Sequence, residues 1–151
     1  MFKSSRVKTR RAALAAAFSG AAVALVLSAM PAAAQQKLGY SAPFLTDPFQ
    51  AIMANQTLKA VEEVGFEALP ATNANGDAAK QLTDIRNLIS AGANALIINP
   101  TDSQAIGPVL DFAAEKNVPA VLIDIAPAKG KVAMIVRADN KAIGAQACEA
   151  V

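Results

Sequence analysis

The chain has 151 residues, with five basic and no acidic residues in the first 34 and nine basic against twelve acidic residues thereafter. The formal net charge of +2 thus belongs to the leader. From Gln35 onward the net charge is −3, with no basic stripe, which leaves no electrostatic footprint for nucleic acid. A single cysteine, Cys148, and the lack of any histidine exclude an intramolecular disulfide, a Cys/His metal cluster and a Cys–His nucleophile.

The leader reads as an export signal. Lys3, Arg6, Lys8, Arg10 and Arg11 form a basic start, Ala12 to Met30 is an apolar stretch of small residues, and Pro31 ends it. Ala32-Ala33-Ala34 then offers the small-x-small pattern of a signal-peptidase site, predicting cleavage near Ala34 and a mature start at Gln35. The expected location is outside the cytosol. Thr9-Arg10-Arg11 leaves both the general secretory and the twin-arginine routes open. An uncleaved anchor is the alternative, because the apolar stretch is long enough to span a bilayer.

After the leader, strands and helices alternate. Lys37 to Ala42 reads as a first strand, with Gly39 as its ambiguous member. Pro48 to Val64 reads as a helix, with Asp47 suited to cap it, Pro48 to its first position and Gly65 to its C′ position. Phe66 to Leu69 is a short second strand, and Asn73 to Asp77 is turn chemistry around Asn75-Gly76. Ala78 to Ala91 is a second helix with Leu82, Ile85 and Ile89 on one face, ended by Gly92. Ala95 to Ile98 is a third strand. A helix capped by Thr101 or Asp102 is expected to reach about Lys116, with Pro108 kinking it or delaying its proper start. Val118 to Ile123 and Val132 to Val136 are the fourth and fifth strands, and Asn140 opens a last helix, on which Cys148 is expected as a small buried residue. The runs Ala95–Ile98 and Ala120–Ile123 are apolar at every position, as in parallel strands sandwiched between helices. The fold class is α/β, with a doubly wound open parallel sheet.

Open α/β sheets bind ligands at the carboxyl ends of their strands. Reading those ends gives Phe44, Asp47, Phe49 and Gln50 after the first strand, Asn99 after the third, Asp124 after the fourth, and Arg137, Asp139 and Asn140 after the fifth. Carboxylates and amides accept from hydroxyls, an arginine fork donates twice, and an aromatic face suits the C–H side of a sugar ring. The candidate ligand-binding residues are therefore Phe44, Asp47, Phe49, Gln50, Asp124, Arg137 and Asn140, toward a small polyhydroxylated molecule. Structural roles compete at each position: Asp47 and Asp139 as helix caps, Phe49 as core, Arg137 as an exposed ion-pair partner. No G-x-G-x-x-G follows the first strand and no G-x-x-x-x-G-K-[ST] occurs, so a dinucleotide- or nucleotide-dependent enzyme lacks its phosphate cradle. With no activated nucleophile in view, binding is expected rather than catalysis, with no metal and no cofactor.

Asp47-Pro48-Phe49, Asn73-x-Asn75-Gly76-Asp77 with Lys80-Gln81, Ile98-Asn99-Pro100-Thr101-Asp102-Ser103, Val118-Pro119 leading to Ile123-Asp124, and Ala138-Asp139-Asn140 together resemble the periplasmic sugar-binding proteins of the ribose-binding type. The resemblance covers Lys37 to Val151. It implies the N-terminal lobe of a two-lobed periplasmic binding protein that closes on a sugar or polyol by hinge motion. It further implies delivery to an inner-membrane ABC permease, with a monomeric mature protein. It divides the chain into a signal peptide (1–34), a βα lobe (35–137), and a crossover with the start of a second lobe (138–151), so that the chain is expected to be a fragment. It assigns ligand contacts to the Asp47 and Phe49 positions, the latter as a stacking ring, and a carboxylate to sugar hydroxyls at the Asp124 position. The chain departs from that pattern in four places. Asp47 stands where ribose binders carry asparagine, Gln50 replaces a second phenylalanine, Ile125 follows Asp124 where many members carry arginine, and Arg137 fills a position that is usually small. Arg137 is read as replacing the missing arginine, and the ligand as another pentose, a polyol or a similar small polar solute. A membrane-anchored sugar-sensing domain is the alternative function. A repressor's effector domain is a further one, but the leader occupies the place of its DNA-binding headpiece.

Overall fold

The computed structural model describes residues 35–150; the export signal and its cleavage site lie outside the described residues. The elements run β1 (Lys37–Ala42), α1 (Pro48–Glu63), β2 (Glu67–Ala68), β3 (Thr72–Asn73), α2 (Ala78–Ser90), β4 (Ala95–Ile98), α3 (Gly107–Glu115), β5 (Ala120–Ile123), β6 (Met134–Val136) and α4 (Asn140–Glu149). All strand pairs are parallel, in the order β2-β1-β4-β5-β6, with β3 also pairing β1. This is the expected α/β architecture.

Side-chain alternation along the strands sorts the core onto two faces. Leu96, Ile98, Ala120 and Leu122 meet Ile85 and Leu88 of α2 and Val109, Leu110 and Ala113 of α3. On the other face Tyr40, Ala42, Ile97 and Ile123 meet Ala54 and Leu58 of α1. Each fully buried leucine or isoleucine contributes roughly 1.5–3 kcal/mol through loss of apolar area to water. Gly39 belongs to β1 because α2 presses on it: a Cβ there would fall 3.1 Å from Leu88 Cβ and from Leu96 Cδ2.

Several boundaries differ from the sequence expectation, each for an identifiable reason. The second strand shrinks to two residues, and Pro70, which has no N–H to give a ladder, separates it from β3. β3 itself lies at the start of a stretch expected to be only a turn: Ser41 and Ala42 pair with Thr72 and Asn73 before Asn75 (φ +55°) and Gly76 (φ +80°) reverse the chain. The third helix begins at Gly107, with Pro108 in its first turn, where a missing N–H costs nothing; of the two expected effects of Pro108, the delayed start is the one observed. Asp102 instead closes a turn before it, accepting from Gln104 N and Ala105 N at 2.8 and 2.7 Å. The fourth and fifth strands shorten to Ala120 and Met134 at their amino ends. Cys148 is exposed rather than buried, because α4 buries none of its residues.

Tyr40 is fully buried and among the described residues its hydroxyl has no partner. Burial disfavours the phenolate and pushes its pKa from 10.0 up to about 12. The folded chain therefore keeps a proton that the unfolded chain loses, and this contribution to stability is intact below pH 10 and lost as pH rises toward 12. Urea unfolding across that range is expected to show a decline that Tyr40→Phe lessens. At neutral pH Tyr40→Phe should be neutral or stabilising, since it removes an unpaired buried hydroxyl.

Candidate functional site

Register decides which residues meet at the carboxyl edge. Ser41 pairs with Ile98, Ile98 with Leu122, and Ile123 with Val136. The segments after β1, β4, β5 and β6 therefore emerge on one rim, at about 4.8 Å per strand step. Asp124 and Arg137 directly follow a register pair and are neighbours across the ladder. The Phe44–Gln50 segment enters two strands from Asp124 and three from Arg137, at roughly 10 and 14 Å, with Asn99 of the β4 end between.

The β1 side is held by an asparagine and a cap. Asn73 Oδ1 accepts from Leu45 N at 3.1 Å and from Asn75 N at 3.0 Å, tying the β1–α1 loop to the β3–α2 turn. Phe44 lies against that turn: a Cβ on Gly76 would be 2.7 Å from Phe44 Cζ, so a side chain there would push the ring aside as well as strain a backbone at φ +80°. Asp47 caps α1, its Oδ1 accepting from Gln50 N at 3.0 Å. Phe49 projects from the first turn of α1 with 66% of its surface exposed, so it is not core. Gln50 is half-buried, and its Oε1 accepts from Asn99 Nδ2 at 3.0 Å.

The β5–β6 side is an open cleft of about 430 Å³ lined by Asp124, Arg137, Ala138, Asp139, Asn140 and Lys141. Asp139 caps α4 by accepting from Ala142 N at 3.0 Å. Among the described residues neither Asp124 nor Arg137 forms an ion pair. Asp124 has φ +67°, and Ile125 N donates to Ile123 O at 2.8 Å across it. That is a γ-turn of the rare positive-φ form, strained for any residue with a Cβ. The bond from Asp124 N to Val136 O at 2.9 Å, the last rung of the ladder, holds it in place.

The fold thus groups Asp124, Arg137 and Asn140 in one cleft, and Phe44, Asp47, Phe49 and Gln50 at the mouth of β1. The rim combines acceptors, donors and exposed aromatic faces, the equipment for a neutral polyhydroxylated molecule. Among the described residues no three His, Cys, Asp or Glu side chains come together to hold a metal, and no helix is long and apolar enough to cross a membrane. Two residues outside the predicted site shape it: Asn73, and Gln81, a fully buried amide on the apolar face of α2. The signal for Gln81 was a polar residue four before Ile85, on the stripe that faces the core.

A doubly wound parallel sheet with a polar carboxyl rim defines a ligand-binding α/β lobe. This chain belongs to the periplasmic binding protein domain family, whose sequence model matches residues 38–151. It is 34% identical over 116 residues to the ribose import binding protein RbsB of Haemophilus influenzae, covering 77% of this chain and 39% of that protein. Among solved structures it resembles an ABC transporter solute binding protein from Mycobacterium smegmatis with bound glycerol (33% identity, TM-score 0.68, 73% of this chain and 38% of that one). It also resembles the Caulobacter myo-inositol binding protein bound to myo-inositol (28% identity, TM-score 0.66, 74% and 38%). The chain spans about two fifths of the length of these proteins.

If Asp124 is held in strain by its surroundings, Asp124→Gly should raise stability by about 1 kcal/mol, the left-handed penalty a Cβ incurs. Equilibrium urea denaturation reads this directly; a loss of stability would show that the Asp124 side chain supports the fold.

Proposed function

We propose that this chain is the ligand-binding βα lobe (35–137), with the start of the crossover to a second lobe (138–151), of an extracytoplasmic solute-binding protein. The protein captures a sugar or polyol and presents it to an inner-membrane ABC permease. It binds its ligand without transforming it. The single observation that carries the ligand side is the pairing at the β5–β6 edge: a carboxylate in a strained turn beside an unpaired guanidinium, both lining one cleft. Backbone strain persists where surroundings enforce it, and it concentrates at binding sites. Asp124 accepts from ligand hydroxyls, Arg137 donates to ligand oxygens and Asn140 does either, while Phe44 and Phe49 offer apolar faces. Family membership, relatives named for ribose and myo-inositol, and a similar solute binding protein with bound glycerol support the ligand class.

Calorimetry of the whole protein against D-ribose, glycerol, myo-inositol and xylitol is expected to find a ligand. Asp124→Ala should then weaken binding by about 1.5–3 kcal/mol, the worth of a hydrogen bond to a charged group, with the fold retained. Arg137→Ala should weaken it too. Unchanged affinity in both variants would remove the β5–β6 cleft from the site.

The basic start, apolar stretch and Ala32-Ala33-Ala34 support export to the periplasm with cleavage. N-terminal sequencing of the exported protein should read Gln35-Gln36-Lys37. An intact Met1 leader would favour a membrane-anchored sensor.

A further inference from the structure

One polar chain crosses the buried seam between β1 and β4 and ends on Gln50. Gln81 and Asn99 are each 1% exposed. Gln81 Nε2 donates to Asn99 O at 2.8 Å and to Ser41 Oγ at 3.3 Å, and its Oε1 accepts from Thr101 N at 2.7 Å. A carbonyl only accepts and a backbone N–H only donates, so the orientation of the Gln81 amide is unambiguous. Asn99 is pinned at both backbone atoms, its N donating to Ser41 O at 2.9 Å and its O accepting from Gln81. Its side-chain Nδ2 donates to Gln50 Oε1 at 3.0 Å, and its Oδ1 is buried without a partner. Turning both amides over would put the Asn99 NH2 in that unpartnered position. Two orphaned N–H donors would then replace one orphaned carbonyl and one orphaned N–H, the costlier arrangement, because a buried carbonyl tolerates a missing partner better than an N–H does.

We propose that Gln81 and Asn99 are positioning residues that fix Gln50 as a hydrogen-bond donor of the site, so that the ligand meets a directed NH2 and presents an acceptor oxygen to it. Gln50 Oε1 is committed to Asn99. Among the described residues nothing accepts from Gln50 Nε2. The backbone of Gln50 is held separately by the Asp47 cap at 3.0 Å, so the side chain is anchored at both ends before any ligand arrives. A group ordered in advance loses less entropy on binding. The donor selects a hydroxyl or ether oxygen at this point and disfavours a ligand group that can only donate. This assignment rests on the sugar-or-polyol reading for its ligand, but the amide geometry is testable without one.

Side-chain amide NMR on the unliganded protein provides the test. The Asn99 NH2 should exchange slowly with solvent and the Gln50 NH2 rapidly. Gln50→Met should shift and deprotect the Asn99 signals, whereas Gln50→Glu, which keeps an acceptor for Asn99, should preserve them. Gln81→Leu should broaden the Gln50 pair; if that variant does not fold, the two Gln50 variants decide alone. A slowly exchanging Gln50 NH2, or Asn99 signals unmoved in Gln50→Met, would overturn the orientation. With D-ribose or myo-inositol added, the Gln50 NH2 should shift, and Gln50→Glu at neutral pH should bind at least tenfold more weakly. Binding with the Gln50 signals unmoved and Gln50→Glu unimpaired would overturn the donor role. No binding by any polyol, with the amide pattern as expected, would instead count against the proposed function while the orientation stands.

Discussion

The pairing of Ile123 with Val136, and of Ser41 with Ile98, sets the position of every polar side chain at the rim. Parallel strands cannot slip by one residue without turning their apolar side chains out of the core. Tyr40, Ile98 and Leu122 are each buried to the last few square ångströms, so slippage is strongly opposed. The strands therefore end where the two-faced core requires, and the residues just beyond are delivered to one edge. Polar chemistry at that edge is a consequence of apolar packing below it.

Within the rim, some polar groups are committed to structural hydrogen bonds and others are not. Asp47 and Asp139 each hold a helix N-terminus, satisfying an N–H that has no intrahelical acceptor. Asn73 holds two loops together. Asp124 and Arg137 carry no such duty among the described residues, and Asp124 sits in a conformation that only its neighbours enforce. These two free groups are the ones that the proposed function assigns to a ligand's hydroxyls. A carboxylate that caps a helix keeps a second oxygen, so the two uses are compatible at Asp47.

The β6–α4 end contrasts with the rest. Met134, Ile135 and Val136 are 59%, 40% and 52% exposed, and Ile143 on α4 is 56% exposed. β6 is held to the sheet by its ladder with β5 and not by a layer of helix on top. Arg137 and Asn140 thus stand on a part of the chain with little apolar anchoring, whereas Asn99 is buried at the end of β4 and Gln50 is half-buried beside it.

The amino-acid sequence by itself determined the α/β class, the parallel sheet, the helix ends at Gly65 and Gly92, the Asn75-Gly76 turn and the set of residues at strand ends. All of these are encoded locally, by periodicity, by backbone freedom at glycine and proline, and by short polar side chains beside helix starts. Tertiary structure alone decided that β1 takes a second short partner across Pro70 and that Asp124 occupies a γ-turn. It alone joined Gln50 to Asn99, 49 residues apart in the chain, and buried Gln81 between Ser41 and Thr101. Such links arise when strands distant in sequence are brought side by side, and no local pattern carries the pairing of one amide with another. The candidate residues were therefore legible as a list, while their division into helix caps, anchors and free donors or acceptors depended on distances that only the folded sheet sets.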